Sequence, residues 1–294
     1  MRLKDQKVAI TGAGGMLGRA LNDILGPRTS GVIALSHREC DIAKPQDRRA
    51  IFDHRPTIVF NCAAHTKVDQ CEQEPELANA INGIAVGDLA RLCRENNAFL
   101  VHVSTDFVFD GASTRPYRPD DPVRPLSAYG RSKLLGETEL QRSDLSNWLI
   151  VRTAWVYGRG GANFPRTIIQ AARANKPLKV VADQFGAPTY TAHLAEAILA
   201  LLQHDARGVW HVTNSGQTTW HEFAVAALRQ FGLANDITPI TSADWQKIKP
   251  ASAIRPQYSV LDLAPFEKLA GRPMASWRQG LKDFHQAVET AGEF

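Results

Sequence analysis

Lys7-Val8-Ala9-Ile10-Thr11-Gly12-Ala13-Gly14-Gly15-Met16-Leu17-Gly18-Arg19 decides the fold. Val8, Ala9 and Ile10 make a short unbroken apolar run, the pattern of a strand buried on both faces. Leu17, Leu21 and Leu25, with Ala20 and Ile24 beside them, then recur at helical spacing. Between the two runs the glycines fall as Gly-x-x-Gly-x-x-Gly, at positions 12, 15 and 18. A strand that opens through such glycines into a helix is the context a dinucleotide-binding turn requires. One glycine makes the tight turn, the next lets backbone approach a pyrophosphate, and the third lets helix close on strand. The helix amino terminus, opening on Met16 and Leu17, presents free N–H groups to the phosphates. Gly12, Gly15, Met16, Leu17 and Gly18 are therefore expected coenzyme contacts.

Working outward, Val32-Ile33-Ala34-Leu35 is a second strand that runs into Ser36-His37-Arg38-Glu39-Cys40-Asp41. Sites that prefer NAD place an acid at this strand end, on the ribose hydroxyls. Ser36, His37 and Arg38 instead suit a 2′-phosphate, while Glu39 and Asp41 also lie near the expected offset. Spacing leaves NADPH and NADH both open. A helix follows from Pro45 to His54. The third strand, Thr57-Ile58-Val59-Phe60-Asn61-Cys62, ends in Ala63-Ala64-His65-Thr66, where small residues let a flat cofactor lie close. His65, alone in a loop, reads as a structural hydrogen-bonding residue. A long helix from Pro75 to Asn96 carries Ala78, Ile81, Ala85, Leu89 and Leu92 as its inner stripe. The fourth strand, from Phe99, ends at Ser104-Thr105-Asp106. This β-α-β-α-β-α-β order predicts an α/β fold with a doubly wound parallel sheet, the Rossmann arrangement. Ligands in such sheets bind beyond the carboxyl ends of the strands.

The next helix opens at Pro125, with Ser127 as its cap, and places Tyr129 and Lys133 four residues apart on one face. An ammonium beside a phenol favours the phenolate, so the pair predicts a tyrosine able to exchange a proton with a substrate oxygen. The Thr105 hydroxyl, at the neighbouring strand end, is placed to hold that oxygen. These are the parts of an alcohol–carbonyl site. A fifth strand starts at Trp148, and a loop covers Asp183 to Thr189. A helix from Ala192 to Leu202 and the strand Val209-Trp210-His211-Val212 return to the main sheet. Thr218 to Glu222 has the character of a capping box, and a last helix starts at Trp277. The expected division is a dinucleotide-binding unit of residues 1–158 and 189–213, with a smaller, mostly C-terminal substrate-binding α/β unit of residues 159–188 and 214–294.

Composition narrows the classes. Apolar content of 44% and charged content of 22% are ordinary globular values and exclude a disordered or fibrous chain. The net charge of +4 is spread thinly, which argues against nucleic acid and is compatible with a small anionic substrate. The four cysteines form no Cys-x-x-Cys pair, and Cys62 sits within an apolar run as a small hydrophobe. Met1 to Gln6 lack a signal-peptide apolar core, and no 18-residue apolar run occurs. A cytoplasmic protein with reduced thiols and no membrane partner is expected.

The glycine turn after the first strand and Tyr-x-x-x-Lys after the fourth together resemble the extended short-chain dehydrogenase/reductases. Finer stretches, Asn61 to Asp69, Ser104 to Gly111, Tyr129 to Glu137, Arg152 to Gly158 and Asp183 to Thr189, resemble the dTDP-4-dehydrorhamnose reductase family. The likeness runs from the first strand to Arg255-Pro256 and Ser259-Val260-Leu261-Asp262. It implies reduction of the 4-keto group of a dTDP-linked deoxyhexulose with NADPH, NADH being accepted as well. It implies Tyr129 as general acid, Lys133 on the nicotinamide ribose, and Thr105 on the keto oxygen. Asp106 would orient substrate, Trp155 would lie on the sugar and Arg255 on the diphosphate, a guanidinium–phosphate pairing. Asp41, Ile42, Ala63, Ala64 and Thr66 would join Arg38 and the glycine turn in holding coenzyme. Two departures stand out: Phe107 where the family commonly has tyrosine, and Ala154 where it has serine. The resemblance further implies that a magnesium found between subunits of some members is not expected, since Ala20 and Ala192 occupy the glutamate positions. Glu196 lies one turn further on. A monomer or a homodimer is expected. Another nucleotide-sugar 4-ketoreductase, a related epimerase or dehydratase, or a non-catalytic reductase-like regulatory subunit, are the alternative readings; Phe107 following Asp106 disfavours a dehydratase, and the intact Tyr129/Lys133 pair disfavours a subunit without turnover.

Overall fold

The computed structural model describes residues 1–234 and 236–293. Its centre is a parallel sheet of six strands, β1 Lys7–Thr11, β2 Gly31–Leu35, β3 Ile58–Asn61, β4 Phe99–Thr105, β5 Trp148–Thr153 and β6 Gly208–His211. They run in the order β6-β5-β4-β3-β1-β2. The inner strands show no apolar–polar alternation because helices cover both faces. Val8, Ala9, Ile10, Ile58, Val59 and Phe60 are all fully buried. On one face the helices Met16–Leu25, Thr191–Gln203 and Ala264–Ala270 contribute Leu21, Leu25, Leu194, Ile198 and Phe266. On the other, Pro45–Ala50, Ala85–Glu95 and Ala128–Gln141 flank a cluster that includes Val86, Leu89 and Leu140. Burying each such leucine or isoleucine contributes about 1.5–3 kcal/mol. Among the described residues no helix is long and apolar enough to cross a membrane.

The long helix expected from Pro75 to Asn96 has three parts: Pro75–Asn79, a π-helical turn Ala80–Ile84, and Ala85–Glu95. The π turn adds a residue and rotates the inner face. Asn82, Gly83 and Val86 are buried, whereas Ile81 and Leu92, expected inside, lie at the margin. A period of 3.6 read through the whole segment misses this shift.

A second lobe builds cores of its own. The helices Trp220–Gln230 and Trp277–Thr290 enclose Tyr157, Phe223, Trp277 and Phe284, and Phe164–Arg173 brings Ile168 and Ile169 against Leu228. Short strand pairs edge it, Leu178–Val181 beside Ile237–Ile240 and Phe185–Gly186 beside Thr218–Thr219. The capping box is formed by Thr219: its hydroxyl accepts from Glu222 N–H at 3.1 Å, and its own N–H donates to the Glu222 carboxylate at 3.3 Å. The loop after β4 ties the lobes together, with Tyr117 N–H donating to Val260 O at 2.9 Å and Asp262 N–H to Tyr117 O at 2.7 Å.

Candidate active site

The strand order reverses between β1 and β3, and their carboxyl ends open the crevice where ligands bind in such sheets. Gly12 turns there with φ of +66°, and a Cβ on it would stand 2.7 Å from Ala63 N, so no side chain fits. A Cβ on Gly18 would collide with the Gly12 carbonyl, which is how the helix comes so close to the turn. Gly15 caps the Met16–Leu25 helix without a side chain, leaving the first-turn N–H groups of Met16, Leu17 and Gly18 to an outside acceptor. At the end of β2, the Glu39 carboxylate accepts the Ser36 N–H at 2.7 Å. Asp41 accepts Ala43 N–H at 3.1 Å and lies 3.8 Å from Lys44. Both acids are engaged within their own turn, while Arg38 is exposed on it. Ile42 is buried, Ala63 and Ala64 are half-buried, and Thr66 is exposed at the loop end of β3. This cradle, closed to a Cβ at Gly12 and Gly18 and lined by free N–H groups, fits a dinucleotide.

Across the crevice stands the Ala128–Gln141 helix, started by Ser127, whose hydroxyl accepts from Gly130 N–H at 3.1 Å. Tyr129 meets the Phe107 ring edge-on at 5.5 Å. Burial raises the phenol above its ordinary value, against the smaller pull of Thr105. This corrects the expectation of a phenol lowered by Lys133. Lys133 is 2% exposed, and its Nζ donates to Val103 O at 2.7 Å and sits 3.3 Å from His102 Nε2. Burial lowers Lys133 to about 8, with Glu137 and Cys62 pulling the other way. A phenol that stays protonated suits an acid that gives its proton to an oxygen gaining charge.

Asp106 is buried beside this pair. Thr105 Oγ1–H donates to its Oδ1 at 3.0 Å, and its Oδ2 has no partner. Burial pushes its carboxyl up to about 6, against the smaller downward pull of the Ser259 and Thr105 hydroxyls. A folded-state value above the ordinary one gives a penalty that is absent below about pH 4 and complete above about pH 6. Asp106→Asn is thus expected to stabilise the protein at pH 7.5 by about 3 kcal/mol, the gain fading as pH falls through that window. Thermal melts of the two proteins across pH check it; a gap that does not change with pH would show that Asp106 does not titrate there.

On the substrate side, Trp155 has a left-handed backbone with φ of 47° and one ring face taken by Trp220, 3.6 Å away and 9° from parallel. Gly186 also packs against this ring, where a Cβ would stand 2.4 Å from Cε2. Arg255 Nη2 pairs with Asp69 Oδ1 at 2.8 Å, so a diphosphate there would share the guanidinium with a carboxylate. Ala154 is buried. Glu196 is paired with Arg28 at 2.8 Å, and among the described residues no group of three or more His, Cys, Asp or Glu side chains is arranged for a metal.

Three residues escaped the sequence reading. Asn82, on the π turn, accepts His65 N–H at 2.8 Å and donates to His65 O at 3.0 Å and Ser132 Oγ at 2.9 Å. It fixes the β3 loop to the Tyr129 helix. His102 touches Lys133, and Trp220 backs Trp155. The available signals were a polar residue inside an apolar stripe, a histidine inside an apolar strand, and an aromatic just after a cap.

Residues 6–290 match the family model of the RmlD substrate binding domain. The spore coat polysaccharide biosynthesis protein SpsK of Bacillus subtilis is 44% identical over 97% of this chain and 99% of its own length. The dTDP-4-dehydrorhamnose reductase of Streptomyces griseus is 40% identical, over 95% of this chain and 93% of its own. Among solved structures, dTDP-4-dehydrorhamnose reductase from Bacillus anthracis in complex with NADP superposes with a TM-score of 0.90 at 34% identity, over 96% of this chain and 99% of that one. With the glycine cradle and the Tyr129/Lys133 helix both in place, the chain belongs to the RmlD substrate binding domain family.

Proposed function

We propose that this protein reduces the 4-keto group of dTDP-4-dehydrorhamnose (dTDP-4-dehydro-6-deoxy-L-mannose) to give dTDP-L-rhamnose, with NADPH as its preferred coenzyme. The observation that carries the reading is a half-buried Tyr129, its phenol pushed up by burial, beside Thr105 and one turn from Lys133, facing the glycine cradle across the carboxyl ends of the sheet. The names of the curated relatives and of the NADP complex support it. The reduced nicotinamide, when bound, supplies hydride. The chain's own residues do the rest. Thr105 holds the keto oxygen and Tyr129 gives it a proton, positioned acid catalysis worth about 10²–10⁴-fold. Lys133, its Nζ held by Val103 O and His102, meets the nicotinamide ribose. Asp106 fixes the Thr105 hydroxyl, Trp155 carries the sugar face, and Arg255 meets the diphosphate.

Turnover without added magnesium, a cytoplasmic location, and a monomer or homodimer are parts of the same reading. So is the division into a dinucleotide-binding unit and a smaller substrate unit, with the Ala264–Ala270 helix going to the first because Phe266 lies in its core. NADPH oxidation with dTDP-glucose, the upstream dehydratase and the epimerase tests the activity. NMR should identify dTDP-L-rhamnose; a different deoxysugar, or no oxidation, overturns the assignment.

The coenzyme preference has its own check. With Glu39 and Asp41 engaged in their turn, Arg38 is the free charge at the end of β2. A lost charge-assisted hydrogen bond on an exposed site predicts that Arg38→Ala raises KM for NADPH about tenfold and KM for NADH little. Equal effects on both would mean that Arg38 does not meet the 2′-phosphate.

A further inference from the structure

His102 stands on β4 between Val101 and Val103, wholly buried. Its Nδ1 lies 3.1 Å from Asn61 Nδ2 and its Nε2 3.3 Å from Lys133 Nζ. Thr11 Oγ1 is in turn 2.8 Å from Asn61 Oδ1. Thr11, Asn61, His102 and Lys133 thus form one line of buried polar side chains across β1, β3 and β4 to the helix. Burial, and then the neighbouring lysine charge, hold the ring well below its ordinary titration range, so it is neutral.

A neutral imidazole has one donor nitrogen and one acceptor. An ammonium can only donate. While Lys133 is charged, Nε2 must accept and Nδ1 must carry the proton. Nδ1–H then needs the Asn61 carbonyl oxygen, which turns the amide nitrogen toward the Thr11 hydroxyl. A free amine keeps N–H donors but gains a lone pair, which opens the reversed pattern: Nε2–H donates to Nζ, Nδ1 accepts from Asn61 Nδ2, and Thr11 donates to Asn61 Oδ1. The heavy atoms stand in this second arrangement. One proton is lost overall between the two states, and the ring keeps one in each.

We propose that His102 is the positioning residue for Lys133, its tautomer following the lysine's charge so that Nζ is held at the same place in both states. The proposal rests on reading Tyr129 and Lys133 as the proton-transfer pair. Besides the Val103 carbonyl, which takes one Nζ proton at 2.7 Å, the groups facing Nζ are Glu137, one turn on along the helix and paired to Arg152 of β5, and Cys62 past the end of β3. Neither offers an acceptor that can replace Nε2: Glu137 is occupied by Arg152 and Ser104, and burial pushes the Cys62 thiol up to about 12.

Nitrogen-15 NMR of the full chain without coenzyme tests this independently of turnover, so its failure is distinguishable from failure of the proposed function. The His102 signal is assigned by its loss in His102→Gln. The ring should stay neutral, with its proton moving from Nδ1 to Nε2 near the lysine's midpoint of about 8. Lys133→Met should abolish the change. A single tautomer from about pH 6 to 10, or a ring that gains charge there, overturns the proposal. In the kinetics, His102→Leu should lower kcat about tenfold and move its alkaline limb down by about one pH unit, because the ammonium loses an acceptor. His102→Gln, which keeps an acceptor at that reach, should restore the limb. A limb that stays put in His102→Leu leaves His102 as packing alone and overturns the role.

Discussion

Tyr129→Phe is expected to lower kcat by about 10²–10⁴-fold while leaving NADPH affinity within about twofold. Only the proton donor is removed. The ring keeps its edge contact with Phe107 and its burial, so the helix and the Lys133 position should not move. The size follows from what a positioned acid supplies, and the retained affinity follows from the coenzyme cradle lying on the other side of the crevice. Thr105→Val should compound the loss by less than its own single effect, since hydroxyl and phenol act on one oxygen. Stopped-flow hydride transfer together with NADPH fluorescence titration separates the two quantities. If Tyr129→Phe kept more than about a tenth of the wild-type rate, Tyr129 would not be the acid.

Glu137→Ala should destabilise the protein by about 3–5 kcal/mol, the usual result of stripping one partner from a buried ion pair. Arg152 Nη2 meets Glu137 Oε2 at 2.7 Å and Nε meets Oε1 at 3.0 Å, with both side chains almost wholly buried. Ser104 Oγ donates to the same carboxylate at 2.5 Å, and Arg152 Nη1 donates to Pro119 O at 3.0 Å. Removing Glu137 leaves a guanidinium with one carbonyl partner in an apolar setting. Because Ser104 precedes Thr105 and Glu137 lies one turn past Lys133, the pair also clamps the helix of the acid to the strand end that holds the substrate oxygen. Loss of activity is therefore expected even where the variant stays folded. For a chain of this length the melting temperature should fall by roughly 5–8 °C. The double variant Glu137→Leu with Arg152→Met should recover most of that loss, since an apolar pair of similar volume carries no stranded charge. A Glu137→Ala melt within about 1 kcal/mol of wild type would mean that water reaches Arg152.

The amino-acid sequence by itself determined the sheet, the glycine cradle and the shared face of Tyr129 and Lys133. Each is a matter of near neighbours along the chain: an unbroken apolar run, glycines three apart, and a four-residue helical offset. Steric demand at Gly12 and Gly18 is equally local, which is why both could be assigned from spacing. What only the tertiary structure decided is which polar groups meet. Lys133 was expected to act on Tyr129, four residues away, yet its Nζ is held by Val103 and His102 of β4. Arg255 finds Asp69, 186 residues away, and Trp155 stacks on Trp220. Asn82 reaches His65 and Ser132 only because a π turn rotates it inward. The physical reason is common to all of these. Apolar periodicity says which face of an element is buried, but a buried donor or acceptor must find a partner, and that partner is chosen by how distant elements pack.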